Sequence, residues 1–194
     1  MKLVSIIIPH YNGKELLYNC INSIYQNIQI ENFEIIVVDN GSTDDSVQNI
    51  KQLFSDIVII TNETNVGYSG GCNIGAQNAK GKYLLFLNND TEHSKEWVEK
   101  LVNFLDSHPD AFAVQPKILN IKNKEYFDYA GGAGGFLDHF GFPYVKGRIF
   151  NTLEKDTGQY DEPSEIFWSS GAAMMVRGDI FNQLNGFDEV YFAY

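Results

Sequence analysis

Short apolar runs alternate with segments of helical periodicity over the first 106 residues. Leu3 to Pro9, rich in Ile and Val, reads as a strand broken by Pro9-His10-Tyr11-Asn12-Gly13. Leu16, Leu17, Cys20, Ile21, Ile24, Tyr25 and Ile28 then recur at helical spacing. Phe33 to Val38 is a second strand, ending on Asp39-Asn40-Gly41. Ser42, with Asp45 three positions on, marks the start of a second helix whose buried face would be Val47, Ile50, Leu53 and Phe54. A third strand over Asp56 to Ile60 leads through the loop Thr61 to Gly67 into a helix of small residues, Tyr68 to Ala79. Tyr83 to Leu87 is an unbroken apolar run between turn signals, the pattern of a strand buried on both faces. Ser94 would cap a fourth helix carrying Trp97, Leu101, Phe104 and Leu105, and Pro109 stops it.

This alternation predicts an α/β fold, a mostly parallel sheet with helices on both faces. Right-handed crossovers place the strand ends on one rim, where ligands of open α/β sheets sit. The polar groups expected there are His10, Tyr11 and Asn12, then Asp39 and Asn40, then Asn65, then Asn88, Asn89 and Asp90. After Ala111 the alternation lapses. Phe112 to Leu119 and Trp168 to Arg177 read as further strands, separated by the glycine run 131–135, a group of aromatics reaching Phe150, and the polar stretch Thr152 to Pro163. Phe181 to Leu184 closes a short helix that ends on Asn185-Gly186. One domain over residues 1–194 is expected, with a ligand-binding half at 1–110 and an incomplete second half at 111–194.

Composition narrows the function. With 44% apolar and 14% aromatic residues the chain can build a sizeable core, and no apolar run approaches the roughly 20 residues that span a bilayer. The opening M-K-L-V-S-I-I-I-P-H is short, lacks a small-residue cleavage site and ends at Pro9, so it reads as a first strand rather than a signal peptide. Cys20 and Cys72 have no metal-ligand spacing and read as free buried thiols in a reducing cytoplasm. A net charge of −11 argues against a nucleic-acid partner. The only arginines are Arg148 and Arg177, outside the first half. A diphosphate held there would need a metal ion or backbone N–H groups for neutralisation.

The position after the first strand holds P-H-Y-N-G, so the G-x-G-x-x-G dinucleotide fingerprint is absent, as is G-x-x-x-x-G-K-[ST]. Asp90 is a carboxylate on a rigid mount, suited to a hard divalent cation, although Asp is also a common turn former. Gly67, Gly70, Gly71 and Gly75 would let a helix start close to a ligand, or pack close to the sheet. His10 and His139 read as structural, and Asp44 as a helix-start residue.

The ordered set P-H-Y-N, V-V-D-N-G-S-T-D, N-V-G-Y-S-G-G-C-N-I-G, L-L-F-L-N-N-D, W-S-S-G-A-A-M-M-V-R and N-G-F-D-E-V-Y-F-A-Y resembles the family-2 glycosyltransferases of inverting, GT-A (Rossmann-like) type, over essentially the whole chain. Within that family it looks closest to bacterial rhamnosyltransferase-like members that build surface polysaccharides. The resemblance implies a nucleotide-sugar donor, UDP- or dTDP-linked, and a saccharide or lipid-linked acceptor. Pro9, Tyr11 and Asn12 would line the nucleoside pocket, Asp39 would accept from the base N–H, and Asn65 and Gly67 would lie beside the nucleotide. Asn88, Asn89 and Asp90 match the D-x-D motif with Asn88 in place of its first aspartate. Asp90 keeps the position for Mg²⁺ or Mn²⁺, while Asn88 brings no charge to the metal. Trp168, Ser170 and Gly171 match the acceptor-side strand.

The implied reaction is one in-line displacement at the anomeric carbon with a carboxylate base. The family takes that base from an E-D pair just after the G-F-D-E segment, where this chain reaches Tyr194. A truncated domain is therefore expected, with Asp188 and Glu189 the nearest remaining carboxylates. The family also implies cytoplasmic work, with peripheral association at the inner face of the plasma membrane. The alternative is a nucleotide-sugar-binding fragment without catalysis. A nucleotidyltransferase would require a basic glycine loop after the first strand, which P-H-Y-N-G lacks.

Overall fold

The computed structural model describes residues 2–129 and 131–192. Its elements are, in order, strand β1 (Lys2–His10), helix α1 (Lys14–Asn27), β2 (Phe33–Asp39), α2 (Ser46–Leu53), β3 (Val58–Thr61), α3 (Gly67–Asn78), β4 (Gly81–Leu87), α4 (Trp97–Ser107), β5 (Ala113–Val114), β6 (Gly135–Leu137), β7 (Pro143–Val145), β8 (Arg148–Ile149), β9 (Thr152–Leu153), β10 (Ala173–Arg177) and α5 (Gly178–Gln183). Six strands form the central sheet in the order β3-β2-β1-β4-β10-β5. β1 to β4 run parallel, and β10 runs antiparallel to both β4 and β5. The expected α/β architecture, a mainly parallel sheet flanked by helices, is thus present. The strand order reverses at β1, so the crevice between the ends of β1 and β4 is the topological switch point.

Alternation along the strands builds two cores. Val4, Ile6 and Ile8 of β1 join Leu85 and Leu87 of β4 beneath α1 and α4. Ile7, Ile36, Val38, Leu84 and Phe86 face the other way, against Cys72 and Ala76 of α3 and Phe181 of α5. Burial on both sides explains why the parallel strands read as unbroken apolar runs; Tyr83 to Leu87 are all buried. The glycines of α3 serve this packing. A Cβ on Gly75 would lie 2.3 Å from Ile7 Cγ2, and one on Gly71 3.0 Å from Pro9 Cβ.

Several expected boundaries move, each for a local reason. α2 begins at Ser46 rather than Ser42, because the Ser42 N–H is taken by Asp39 Oδ1 (2.8 Å) in the preceding turn, and Asp45 forms no cap bond. Ile50 is buried on α2, but Leu53 is 56% exposed at its end. β3 lies two residues later at its start than the sequence pattern suggests. α4 starts at Trp97 after a left-handed Glu96, without a side-chain cap from Ser94. The strand expected over Phe112 to Leu119 joins the central sheet only at Ala113 and Val114, since Pro116 offers no N–H and Gln115 turns its amide to Gly131 and Ser170, and Leu119 instead makes an isolated bridge to Phe127. The strand expected from Trp168 begins only at Ala173, and the short last helix, Gly178–Gln183, ends one residue before the expected Leu184. Between β5 and β10 the chain makes two small hairpins, β6-β7 and β8-β9. Ala193 and Tyr194, at the point where the sequence suggests truncation, lie outside the described residues.

Candidate functional site

Register fixes the rim. His10 pairs with Asp39 and Asp39 with Thr61, so β1, β2 and β3 end level with one another. Asn40 N–H donates to the His10 carbonyl (2.8 Å), and Asn62 N–H to the Asp39 carbonyl (2.8 Å), continuing the ladder into the loops. Across the switch point Asn89 Nδ2 donates to His10 Nδ1 (2.7 Å), linking the end of β4 to the end of β1. His10 is 1% exposed. With Nδ1 accepting, its proton sits on Nε2 and is donated to Ser46 Oγ (2.8 Å), which donates in turn to Asp44 Oδ1. Burial lowers the His10 pKa against the opposing pull of Asp39 and Asp44, which keeps the ring neutral as this chain of bonds requires. The Ser46 hydroxyl, followed by the other bonds to its carboxylate, holds Asp44 below the usual carboxylate range.

Asn12 stands at φ +53 and works as a bracket. Its Oδ1 accepts from Thr43 N–H (2.8 Å) and Asp44 N–H (3.3 Å), while its own N–H donates to Ser42 Oγ (2.9 Å). The loop after β2 is therefore tied to the loop after β1. Tyr11 beside it is 50% exposed. Asp39 is buried to 5% and Pro9 packs beneath Gly71. Asn65 Oδ1 accepts from Gly67 N–H (2.9 Å) at the start of α3, and Asn40 Nδ2 donates to the Gly67 carbonyl (3.0 Å).

At the end of β4, Asn88 N–H donates to the Ala172 carbonyl (3.1 Å), and the Asn88 carbonyl accepts from Thr91 Oγ1 (2.9 Å) and Cys20 Sγ (3.5 Å). Burial raises the Cys20 pKa to about 11 and that of Cys72 to about 12, so both are unreactive free thiols. Asp90 is exposed, and no hydrogen bond or ion pair engages its carboxylate among the described residues.

The three residues expected on the acceptor side divide. Ser170 N–H donates to Gln115 Oε1 (2.6 Å), and the Gly171 carbonyl accepts from Tyr68 Oη (2.5 Å), bringing both beside α3 and the end of β4. Trp168 turns away. Its indole lies flat on Gly135, where a Cβ would come within 2.0 Å, and Nε1 donates to the Phe136 carbonyl (3.3 Å). Asp188 Oδ1 accepts from Val190 N–H (3.0 Å), and Glu189 Oε1 from Asn73 Nδ2 (3.0 Å). Sequence reasoning places His10 at the rim and reads it as structural, but it misses the bonds His10 makes there and passes over Asn73. A lone buried histidine carries no spacing signal, and Asn73 sits in a run of small residues that explains itself as packing.

The charge at this rim is negative. Of the lysines near it, Lys14 is paired with Asp45 at 2.7 Å and Lys124 with Glu92 at 2.7 Å. Arg177 lies at the far edge of the sheet, donating to the Leu105, His108 and Ala111 carbonyls at the end of α4. Arg148 stacks on Tyr129 in the second half. The α3 N-terminus is not an open anion cradle, because Gly67 N–H is bonded to Asn65 and Tyr68 N–H to the Phe192 carbonyl (2.7 Å). A depression of about 380 Å³ lies at the opposite edge of the sheet, by Lys82, Arg177 and Asp179. It shares no residue with the rim.

The sequence model of Glycosyl transferase family 2 matches residues 5–182. The chain belongs to glycosyl transferase family 2. An uncharacterised glycosyltransferase of Haemophilus influenzae is 35% identical over 126 residues, covering 63% of this chain and 39% of that protein. The O-antigen biosynthesis protein RfbC of Myxococcus xanthus is 28% identical over 96% of this chain and 14% of its own length. Among solved structures, S. aureus TarS 1–349 in complex with UDP superposes with a TM-score of 0.68 at 21% identity, covering 99% of this chain and 52% of that one. The mannosyltransferase PcManGT of Pyrobaculum calidifontis, in complex with GDP-Man and Mn²⁺, gives 0.65 at 16% identity, covering 96% and 47%. The fold is the GT-A fold of this family. The family-2 chain spans about two fifths of the Haemophilus relative and about half of the TarS chain. Among the described residues no group of three or more His, Cys, Asp or Glu side chains is placed to hold a metal ion, and no helix is long and apolar enough to cross a membrane.

Proposed function

We propose that this family-2 domain moves a sugar from a UDP- or dTDP-linked donor to a saccharide or lipid-linked acceptor, with inversion, in the assembly of a bacterial surface polysaccharide of the rhamnosyltransferase-like type. The work is placed in the cytoplasm, at the inner face of the membrane. One observation carries the reading: Asn89, between Asn88 and Asp90 at the end of β4, is bonded across the switch point to His10, which stands level with Asp39, and Lys14 beside them is already paired with Asp45. The name of the RfbC relative and the UDP-bound TarS neighbour support it.

A doubly charged leaving group needs compensation there, and Asp90 is the residue to hold Mg²⁺ or Mn²⁺. A single exposed carboxylate fits such an ion when phosphate oxygens and water complete the shell, which is the usual arrangement for Mg²⁺. When bound, the ion neutralises the leaving diphosphate as a Lewis acid. Tyr11 and Asp39 hold the nucleoside, Asp39 accepting from the imide N–H of uracil or thymine, with Pro9, Asn12, Asn65 and Gly67 shaping the pocket. Asn88 bonds a ribose hydroxyl, and Asn89 is oriented by His10. The acceptor oxygen forms its bond to the anomeric carbon as the bond to the diphosphate breaks, and its proton passes to a carboxylate. Ser170 and Gly171 border the acceptor. Asp188 and Glu189 are the nearest acidic pair, and their bonds to Val190 N–H and Asn73 suit them to ordering the loop.

Titration calorimetry with UDP and dTDP, with and without Mn²⁺, tests the reading. One of the two should bind, more tightly with the metal, and Asp90→Ala should abolish the metal-dependent part while the protein stays folded. No binding of either nucleotide would sink it. The loop bonds of Asp188 and Glu189 also suit a second reading, a nucleotide-sugar-binding module without turnover. Donor hydrolysis or transfer by this chain would eliminate that.

A further inference from the structure

Asn73 lies in the middle of α3, only 8% exposed. Asparagine is a poor helix former, and a buried carboxamide is tolerated only when its polar atoms are bonded. All the partners here come from one distant segment. Asn73 Oδ1 accepts from Phe187 N–H (2.8 Å), and Nδ2 donates to the Phe187 carbonyl (2.9 Å) and to Glu189 Oε1 (3.0 Å). The side chain thus imitates a strand partner for one residue that is 114 positions away. Its orientation is set by those partners, since a flipped amide would turn its NH₂ towards one donor and its oxygen towards two acceptors.

The segment is shaped to receive it. Gly186 stands at φ +78, and a Cβ there would lie 2.5 Å from Asn73 Oδ1. Five residues beyond Phe187 the same segment reaches the start of α3, where the Phe192 carbonyl accepts from Tyr68 N–H (2.7 Å). Gly67, at φ +76, leaves room for it, because a Cβ would come within 2.2 Å of the Phe192 oxygen. The segment between the two anchors turns on Asp188, which accepts from Val190 N–H through its side chain and from Tyr191 N–H (3.2 Å) through its carbonyl.

We infer that Asn73 is a positioning residue: it sets residues 186–192 in register along α3, so that they close the α3 N-terminus and form the acceptor-side wall of the site. The wall role rests on the nucleotide-sugar reading; the anchoring does not.

Amide hydrogen exchange, calorimetry with UDP and Mn²⁺, and donor turnover test it together on the full chain. Asn73→Ala should speed exchange about tenfold at Phe187 and also at Tyr68, with Leu85 in the sheet unchanged. Gly186→Ala, which attacks the same contact from the surface loop, should reproduce this, and circular dichroism confirms that each variant is folded. For the wall role, kcat should fall about tenfold with nucleotide affinity held within about twofold. Unchanged Tyr68 exchange in both variants overturns the anchoring. Faster Tyr68 exchange with undiminished kcat overturns the wall. A parent chain that neither binds nucleotide nor turns over donor removes the wall together with the nucleotide reading, while the exchange data still decide the anchor.

Discussion

His93 offers a quantitative test of how the loop after β4 is held. The ring stacks on Trp97 at 4.3 Å with an interplanar angle of 11°, and lies between two hydroxyls, Ser23 Oγ at 2.6 Å from Nδ1 and Thr91 Oγ1 at 3.1 Å from Nε2. Thr91 in turn donates to the Asn88 carbonyl, so His93 connects α1 to the turn that carries Asn88, Asn89 and Asp90. Burial lowers its pKa to about 4, against a weaker raising effect of Glu92. A histidine with a depressed folded-state pKa binds its proton more readily in the unfolded chain. Its stabilising contribution is therefore present above pH 6.5 and is lost as pH falls from there towards 4. Two-state linkage puts the loss at about 1.4 kcal/mol at pH 5.5 and about 2.5 kcal/mol at pH 4.5. For a domain of this size that is a fall in Tm of about 5–10 °C from this group alone.

The carboxylates titrate in the same range, so the measurement is a difference. His93→Phe keeps a ring against Trp97 and cannot titrate. Urea unfolding of both proteins at pH 7.5, 5.5 and 4.5 should show the wild type more stable at pH 7.5 and the gap shrinking by about 2.5 kcal/mol at pH 4.5. Imidazole NMR should place the His93 titration near 4. A pH-independent gap, or a ring that titrates near 6.5, would refute the reasoning.

Other expectations follow from close contacts. Gly75→Ala puts a methyl 2.3 Å from Ile7 Cγ2 and should destabilise by about 1–3 kcal/mol, read from urea midpoints. Gly135→Ala drives a methyl into the Trp168 indole and should change the tryptophan fluorescence while leaving the α3 and β4 amides protected. Asn12→Ala loses both bonds to the 43–44 backbone and strains a φ of +53, so about 1–2 kcal/mol of stability should go; Asn12→Gly, which suits that φ, should recover part of it.

The first half of the fold is legible in the sequence because β1, β2 and β4 are buried on both faces and so announce themselves as apolar runs, while the half-exposed edge strand β3 is shorter than its pattern suggests. Tyr83 to Leu87 became the last five residues of β4, and the polar residues that follow reach the switch point because the strand ends there. The second half was harder for the same physical reasons in reverse. Pro116 ends a ladder that the apolar pattern would continue, and residues 168–172 have strand-like composition but spend their hydrogen bonds on Gln115, Tyr68 and Gly135. Contacts such as Asn89 with His10, or Asn73 with Phe187, join residues separated by 79 and 114 positions. No local pattern encodes them.

β5 and β10 are hydrogen-bonded neighbours, Val114 opposite Met175, so the chain leaves the sheet and returns to it at adjacent points. Everything between is an excursion pinned at both ends. Closing a longer or shorter excursion costs little extra entropy. Evolution could therefore rewrite these roughly sixty residues, and with them whatever molecule meets them, while the parallel strands of the sheet stay untouched.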